Sequence, residues 1–248
     1  GAGRGTLGRL MMTGGACVEH APPVEHHSMV TAASSIDRLL HVLRDYRGEN
    51  VFNPFGEVNL DYDRPDAAER RRANMRAYLD LFRDAAYVAV AEAPGYNGAR
   101  FSGVWFTAER LLIGEGALPW ARASGRFVRC SRDDRPLRPE LSSTIVWSAL
   151  GDRSDIIFWP SFPWHPMGAR GPLSNRAPRR EESRIGLQVL RLFLDEVVPG
   201  RIPFAIGRYG QAALEELGYR DVLYVRHPSQ GGAVEFRRGI GALPRRDA

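Results

Sequence analysis

The chain has 248 residues, 44% hydrophobic and 25% charged, with 26 Gly and 17 Pro, which excludes collagen-like and low-complexity classes and is ample for a full core. Its formal net charge of +5 comes from 34 basic against 29 acidic residues, and every basic residue is Arg. Without Lys there is no P-loop, no kinase strand Lys and no pyridoxal Schiff base, so those three classes fall away.

Genomic base composition accounts for all-Arg usage more readily than selection does. Arg nevertheless offers phosphate a planar fork of donors, so the basic excess is compatible with nucleic acid. Cys17 and Cys130 are the only cysteines, too few for a four-thiolate zinc or iron–sulfur site, and a protein without cofactor or metal is expected. No apolar run approaches the roughly 18–20 residues of a membrane span. A soluble, cytoplasmic monomer is therefore expected.

Residues 1–33, rich in Gly, Ala, Thr and Ser, read as a flexible leader, with Met29 as an alternative start. His20, His26 and His27 in this stretch are more readily part of a tail than metal ligands. One domain is expected over 34–248. Ile36, Leu39, Leu40, Leu43 and Tyr46 share one helical face. Asp63-Arg64-Pro65-Asp66 announces a second helix to about Asp84, with Met75, Leu79 and Phe82 inward and Arg70, Arg71, Arg72 and Arg76 on a solvated face.

The pattern then alternates. Strands are predicted at Tyr87–Ala91, Ile156–Trp159, Pro203–Ile206 and Val222–Val225, with helices from Glu181 to about Val197 and from Gly210 to Leu217, the latter stopped by Gly218. Such alternation predicts an α/β fold, a three-layer α/β/α sandwich around a mainly parallel four-stranded sheet. Ligands of such sheets bind beyond the carboxyl ends of the strands. No internal repeat or coiled coil is present.

Three strand ends deliver Glu92-Ala93-Pro94-Gly95, Pro160-Ser161-Phe162-Pro163 and His227-Pro228-Ser229 to one rim. With Gly103-Val104-Trp105-Phe106-Thr107, Phe162-Pro163-Trp164-His165-Pro166 and Ser174-Asn175-Arg176-Ala177-Pro178, the order resembles the uracil-DNA glycosylase superfamily over roughly residues 50–240. The resemblance implies a monofunctional DNA glycosylase. Glu92 would orient the attacking water or stabilise sugar charge, and His227 would hydrogen-bond the departing base. Phe106 would stack on the extruded base, within a pocket including Ala93, Gly95, Tyr96, Pro160 and Ser161. Asn175, Arg176, Ser229, Gln230 and Arg238 would meet DNA, with Gln230 and Arg238 as candidate wedges.

Blander readings exist for each residue. Glu92 alone would suit a surface salt bridge, His227 a structural histidine, Gln230-Gly231-Gly232 a simple hairpin and Trp105 the core. Arg170, Arg176, Arg179 and Arg180 suit a phosphate grip or a solvated linker equally. Two departures stand out. Pro160 occupies the position of the Asn that reads uracil in cluster-free relatives, and Pro has no side-chain donor. Gly95 stands where strict uracil enzymes carry a Tyr that blocks carbon 5. Together they point to a modified, 5-substituted pyrimidine, with phage defence as one setting. The alternatives are a non-catalytic relative holding a flipped base or single strand and, last, a nucleoside hydrolase, for which the Gly-x-Ser-x-Gly elbow is missing.

Overall fold

The computed structural model describes residues 25–246, with side chains from residue 34. Residues 1–24 lie outside the described residues, and with them Cys17, His20 and most of the expected leader. The last part of that leader, from Glu25, is helical in backbone.

In chain order the elements are α1 (Glu25–Asp45), β1 (Val51–Phe52), α2 (Ala67–Leu81), β2 (Tyr87–Ala91), α3 (Ala99–Ser102), α4 (Pro119–Ser124) and α5 (Leu141–Leu150). They continue with β3 (Ile156–Pro160), β4 (His165–Pro166), α6 (Arg180–Leu192), β5 (Ile202–Ile206), α7 (Gly207–Glu216), β6 (Tyr224–Val225) and α8 (Ala233–Ala242). The 3.6-residue spacing in α1 buries Ile36, Leu39, Leu40 and Leu43. Helix α6 runs into a single π-helical segment, Phe193–Val197, which completes the long helix expected there.

The four strands pair in the order β3-β2-β5-β6, all parallel, and β2 at the centre is buried throughout. Successive strand side chains face opposite ways, so Phe158 and Trp159 identify the two outer layers. Phe158 meets Trp147 of α5 edge-on at 5.9 Å, whereas Trp159 stacks on Phe193 at the end of α6 at 3.9 Å. Helices thus cover both faces, the three-layer α/β/α sandwich. A separate antiparallel pair joins β1 to β4.

Two close approaches set the site end of the sheet. A Cβ on Gly210 would lie 2.0 Å from the Val90 carbonyl oxygen, so α7 packs its backbone directly on β2. Beyond the register pair Ala91–Pro160 the ladder continues, with Ser161 N–H donating to Ala91 O at 2.7 Å and Phe162 N–H to Glu92 O at 3.0 Å. These bonds fix the backbone of Glu92 as the chain leaves the sheet.

One expectation about α2 is corrected. Arg71 is not on a solvated face but fully buried, paired with Asp63 at 2.6 Å. Its other donors go to carbonyls of Pro54, Glu57 and Phe101, so it clamps two loops to the helix. Arg100 shares the Asp63 carboxylate at 2.5 Å and lies 4.2 Å over both the Phe52 and Phe101 rings.

Candidate active site

Glu92 follows β2 directly, at the carboxyl edge of the sheet. Its backbone carbonyl is tied by Ser161 Oγ–H at 2.9 Å, while its half-buried side chain opens on a cavity of about 470 Å³. Burial raises its carboxyl above the ordinary range. The loop beyond is held from behind, because the Nδ1–H of buried His165 donates to the Pro94 carbonyl oxygen at 2.9 Å.

Phe106 adopts a left-handed backbone with φ of +49°, which costs a non-glycine residue about 1 kcal/mol and has to be held by its surroundings. Trp147 provides the hold: its indole N–H reaches the Phe106 carbonyl and Thr107 Oγ1, both at 3.1 Å. The Phe106 ring then rests edge-on against Phe158 at 5.4 Å and lies 5.6 Å from the His227 ring. Trp105 also touches the cavity, but it is 2% exposed and packs on Phe55 and Trp159 as core.

His227 leaves β6 and is fixed by its own turn. Ser229 N–H donates to Nδ1 at 3.1 Å, and Ser229 Oγ lies 2.7 Å from the same nitrogen. Nδ1 is therefore an acceptor, and the ring proton of the neutral form sits on Nε2. Burial, aided by Arg226, holds His227 down at about 4, so the imidazole is uncharged at neutral pH. A Cβ on Gly207 would lie 3.2 Å from the His227 Cβ, which shows how tightly the start of α7 supports this turn.

Most residues singled out in the sequence meet at this cavity. Glu92, Ala93, Gly95, Phe106 and Pro160 line one part, and Asn175, Arg176, His227, Ser229 and Gln230 another. Gln230 also has a left-handed backbone, with φ of +51°. Tyr96 and Ser161, expected to touch the base, are not part of the lining: Tyr96 N–H donates to Asn175 Oδ1 at 3.0 Å, and Ser161 braces Glu92. Arg238 is exposed on α8, away from the lining. Arg176 forms a two-pronged pair with Glu182 at 2.6 and 2.7 Å, and Arg179 pairs with Glu49, so both anchor the loop. Arg170 in the same loop and Arg180 at the start of α6 are exposed without a carboxylate partner among the described residues.

Glu140 is the residue that sequence reasoning missed. It immediately precedes α5 and sends its carboxylate into the cavity against Gly95 and Gly98. Its Oε1 lies 2.9 Å from where a Gly95 Cβ would stand, so the room that Gly95 leaves is occupied by a carboxylate. Burial pushes this carboxyl up to about 7, offset in part by the Ser143 hydroxyl. Among the described residues no cluster of three or more metal-type side chains occurs, and no helix is long and apolar enough to cross a membrane.

A parallel sheet layered by helices, with a polar cavity at its carboxyl edge, is the architecture expected of the uracil-DNA glycosylase fold. The solved structures it matches include the crystal structure of wild-type Pedobacter heparinus SMUG2, with a TM-score of 0.58 over 84% of this chain and 96% of that one, at 16% identity. That likeness establishes the fold. No protein-family model and no curated protein matches the sequence.

Proposed function

We propose that the protein is a DNA glycosylase that hydrolyses the N-glycosidic bond of a pyrimidine swung out of the helix, leaving an abasic site. The observation that carries this reading is the convergence of Glu92, Phe106 and His227 on one cavity. The fold shared with SMUG2 supports a glycosylase-type function at the superfamily level.

The chemistry follows from the positions. Phe106 offers an apolar face on which the extruded ring stacks. As the bond between C1′ and the base nitrogen breaks, its electron pair leaves with the base. The Nε2–H of His227 donates to the carbonyl oxygen where that charge collects. Water adds to C1′ and gives its proton to the Glu92 carboxylate, which also faces the positive charge building on the sugar. With no Lys to form a Schiff base, breakage of the abasic strand is not expected, the N-terminal amine being the one substitute.

The base we propose is a 5-substituted pyrimidine. Pro160 offers uracil no side-chain donor, and Ser161 Oγ is already spent on the Glu92 carbonyl. Destruction of phage DNA built from such bases is the setting we propose. The test offers labelled duplexes carrying uracil, a thymine mismatch, hydroxymethylcytosine or its glucosylated form, followed by alkali. A break that needs alkali and occurs with a substituted base is expected. Efficient removal of plain uracil with none of the substituted bases refutes the specificity, and no break with any base refutes the activity.

A further inference from the structure

Phe106 presents its ring to the cavity from a backbone that its own side chain disfavours. With φ of +49° it lies in the left-handed region, where an L side chain crowds the following carbonyl. Residues 103–108 belong to no helix or strand, and the turn is closed only by Thr107 N–H donating to Val104 O at 3.3 Å. Its remaining ties converge on one side chain from another element. The Trp147 indole N–H of α5 is shared between the Phe106 carbonyl and Thr107 Oγ1, both at 3.1 Å. The Thr107 hydroxyl passes its own hydrogen to the Trp105 carbonyl at 2.8 Å. Trp105, Phe106 and Thr107 are thus bound in succession to a single donor. Thr107 is fully buried, so bulk water cannot replace it.

The donor is itself aimed by its packing. Trp147 is buried, with its ring against Trp120 at 5.0 Å, Phe158 at 5.9 Å and Phe82 at 6.1 Å. Phe158 also meets the Phe106 ring edge-on at 5.4 Å. Phe158 therefore supports the platform ring, and Trp147 fixes the backbone that bears it.

We infer that Trp147 is a positioning residue for base stacking. It lies outside the cavity lining and acts through Phe106, by holding the left-handed turn that aims the ring at the extruded base. The inference rests on the glycosylase reading and concerns how its stacking step is set. Without the indole N–H the turn gains by returning to the right-handed or extended region, and the Phe106 ring leaves its place 5.6 Å from the His227 ring. A Trp147 that served only the core would cost stability without regard to Phe106, whereas a positioning role makes the two residues non-additive.

The experiment is a double-mutant cycle with two readouts. One is single-turnover excision of whichever base in the labelled duplexes wild type removes fastest. The other is the preference, by fluorescence anisotropy with Glu92→Gln protein, for a duplex carrying a bulged pyrimidine over a fully paired one. Trp147→Phe, which keeps an aromatic ring and loses the N–H, should lower each by roughly tenfold, the worth of one well-made hydrogen bond. In a Phe106→Ala background the same substitution should change neither by more than about twofold. Thr107→Val, which removes the hydroxyl link to Trp105, should reproduce part of the loss, and Thr107→Ser should restore wild-type values. This pair keeps the test decisive if Trp147→Phe folds poorly.

Equal losses from Trp147→Phe with and without the Phe106 ring, or a Thr107→Val protein indistinguishable from Thr107→Ser, overturn the inference. A wild-type protein that excises none of the bases, while Trp147→Phe still lowers the bulge preference only when Phe106 is present, would instead refute the glycosylase reading and leave the positioning role standing. Absence of both excision and bulge preference overturns both.

Discussion

In the proposed reaction His227 donates while uncharged, and Ser229 decides which nitrogen carries the proton. With Nδ1 accepting from the Ser229 backbone, Nε2–H is the donor, and burial keeps the ring neutral down to about pH 4. Removing a preorganised donor of this kind costs about 10²- to 10³-fold in rate, so His227→Ala should lower single-turnover excision by that factor with duplex affinity little changed. The proposed role of Glu92 requires an ionised carboxylate, and burial raises its carboxyl above 4.5. The rate should therefore fall on the acid side at a pH above 4.5, before His227 titrates, as a pH–rate profile would show. Glu140 gives a separate stability readout. Its folded-state carboxyl titrates at about 7 against 4.5 unfolded, so the folded chain binds more protons between those values and stability falls as pH rises through them. Glu140→Gln should accordingly raise Tm at pH 8 relative to wild type and do so much less at pH 4.5. Asp63 is a buried carboxylate shared by Arg71 and Arg100. Asp63→Asn leaves two buried cations uncompensated and should cost about 3–5 kcal/mol in denaturant unfolding.

At the scale of elements, the site is built from strand ends and the helix starts that pack on them. Gly98→Ala tests this directly: its Cβ would meet the Glu140 carboxylate at 2.2 Å, so the start of α5 or the loop after β2 must shift. The expected result is a changed preference among substituted bases, read by excision of the same labelled duplexes, at a smaller loss of overall stability than Asp63→Asn. The strands were legible because Tyr87–Ala91 and Ile156–Trp159 are short apolar runs closed by turn residues, and the helical alternation between them dictates parallel pairing. Glu92 and His227 were legible for the same reason, as polar residues at strand ends. Glu140 was not. Its helix begins Leu141-Ser142-Ser143-Thr144, whose hydroxyls suggest a loop, and only burial against the sheet through Ile145, Val146 and Trp147 makes it helical. Arg71 escaped for a related reason. Four arginines on one helix suggest solvent, and nothing local announces that one turns toward Asp63.

Over the whole molecule, charge is distributed unevenly between paired and free arginines. Arg38, Arg64, Arg76, Arg126, Arg132 and Arg153 each meet a carboxylate. Arg208, Arg226, Arg237 and Arg238 are exposed without such a partner among the described residues, and the first two adjoin the Gly207–His227 contact. Exposed, unpaired cations suit a phosphate backbone. Arg226→Ala should weaken duplex binding for every sequence alike and reduce the slope of log affinity against log salt by about one, measured by anisotropy at several salt concentrations. The central claim is that this cavity receives a base drawn from the helix and that Glu92 then acts on it. The most direct measurement places 2-aminopurine beside a 5-hydroxymethylpyrimidine and follows its fluorescence with Glu92→Gln, then adds alkali. A rise in fluorescence with no alkali-dependent break is the expected result, against a rise and a break with wild type. Unchanged fluorescence with both proteins, or a break as fast with Glu92→Gln as with wild type, would contradict it.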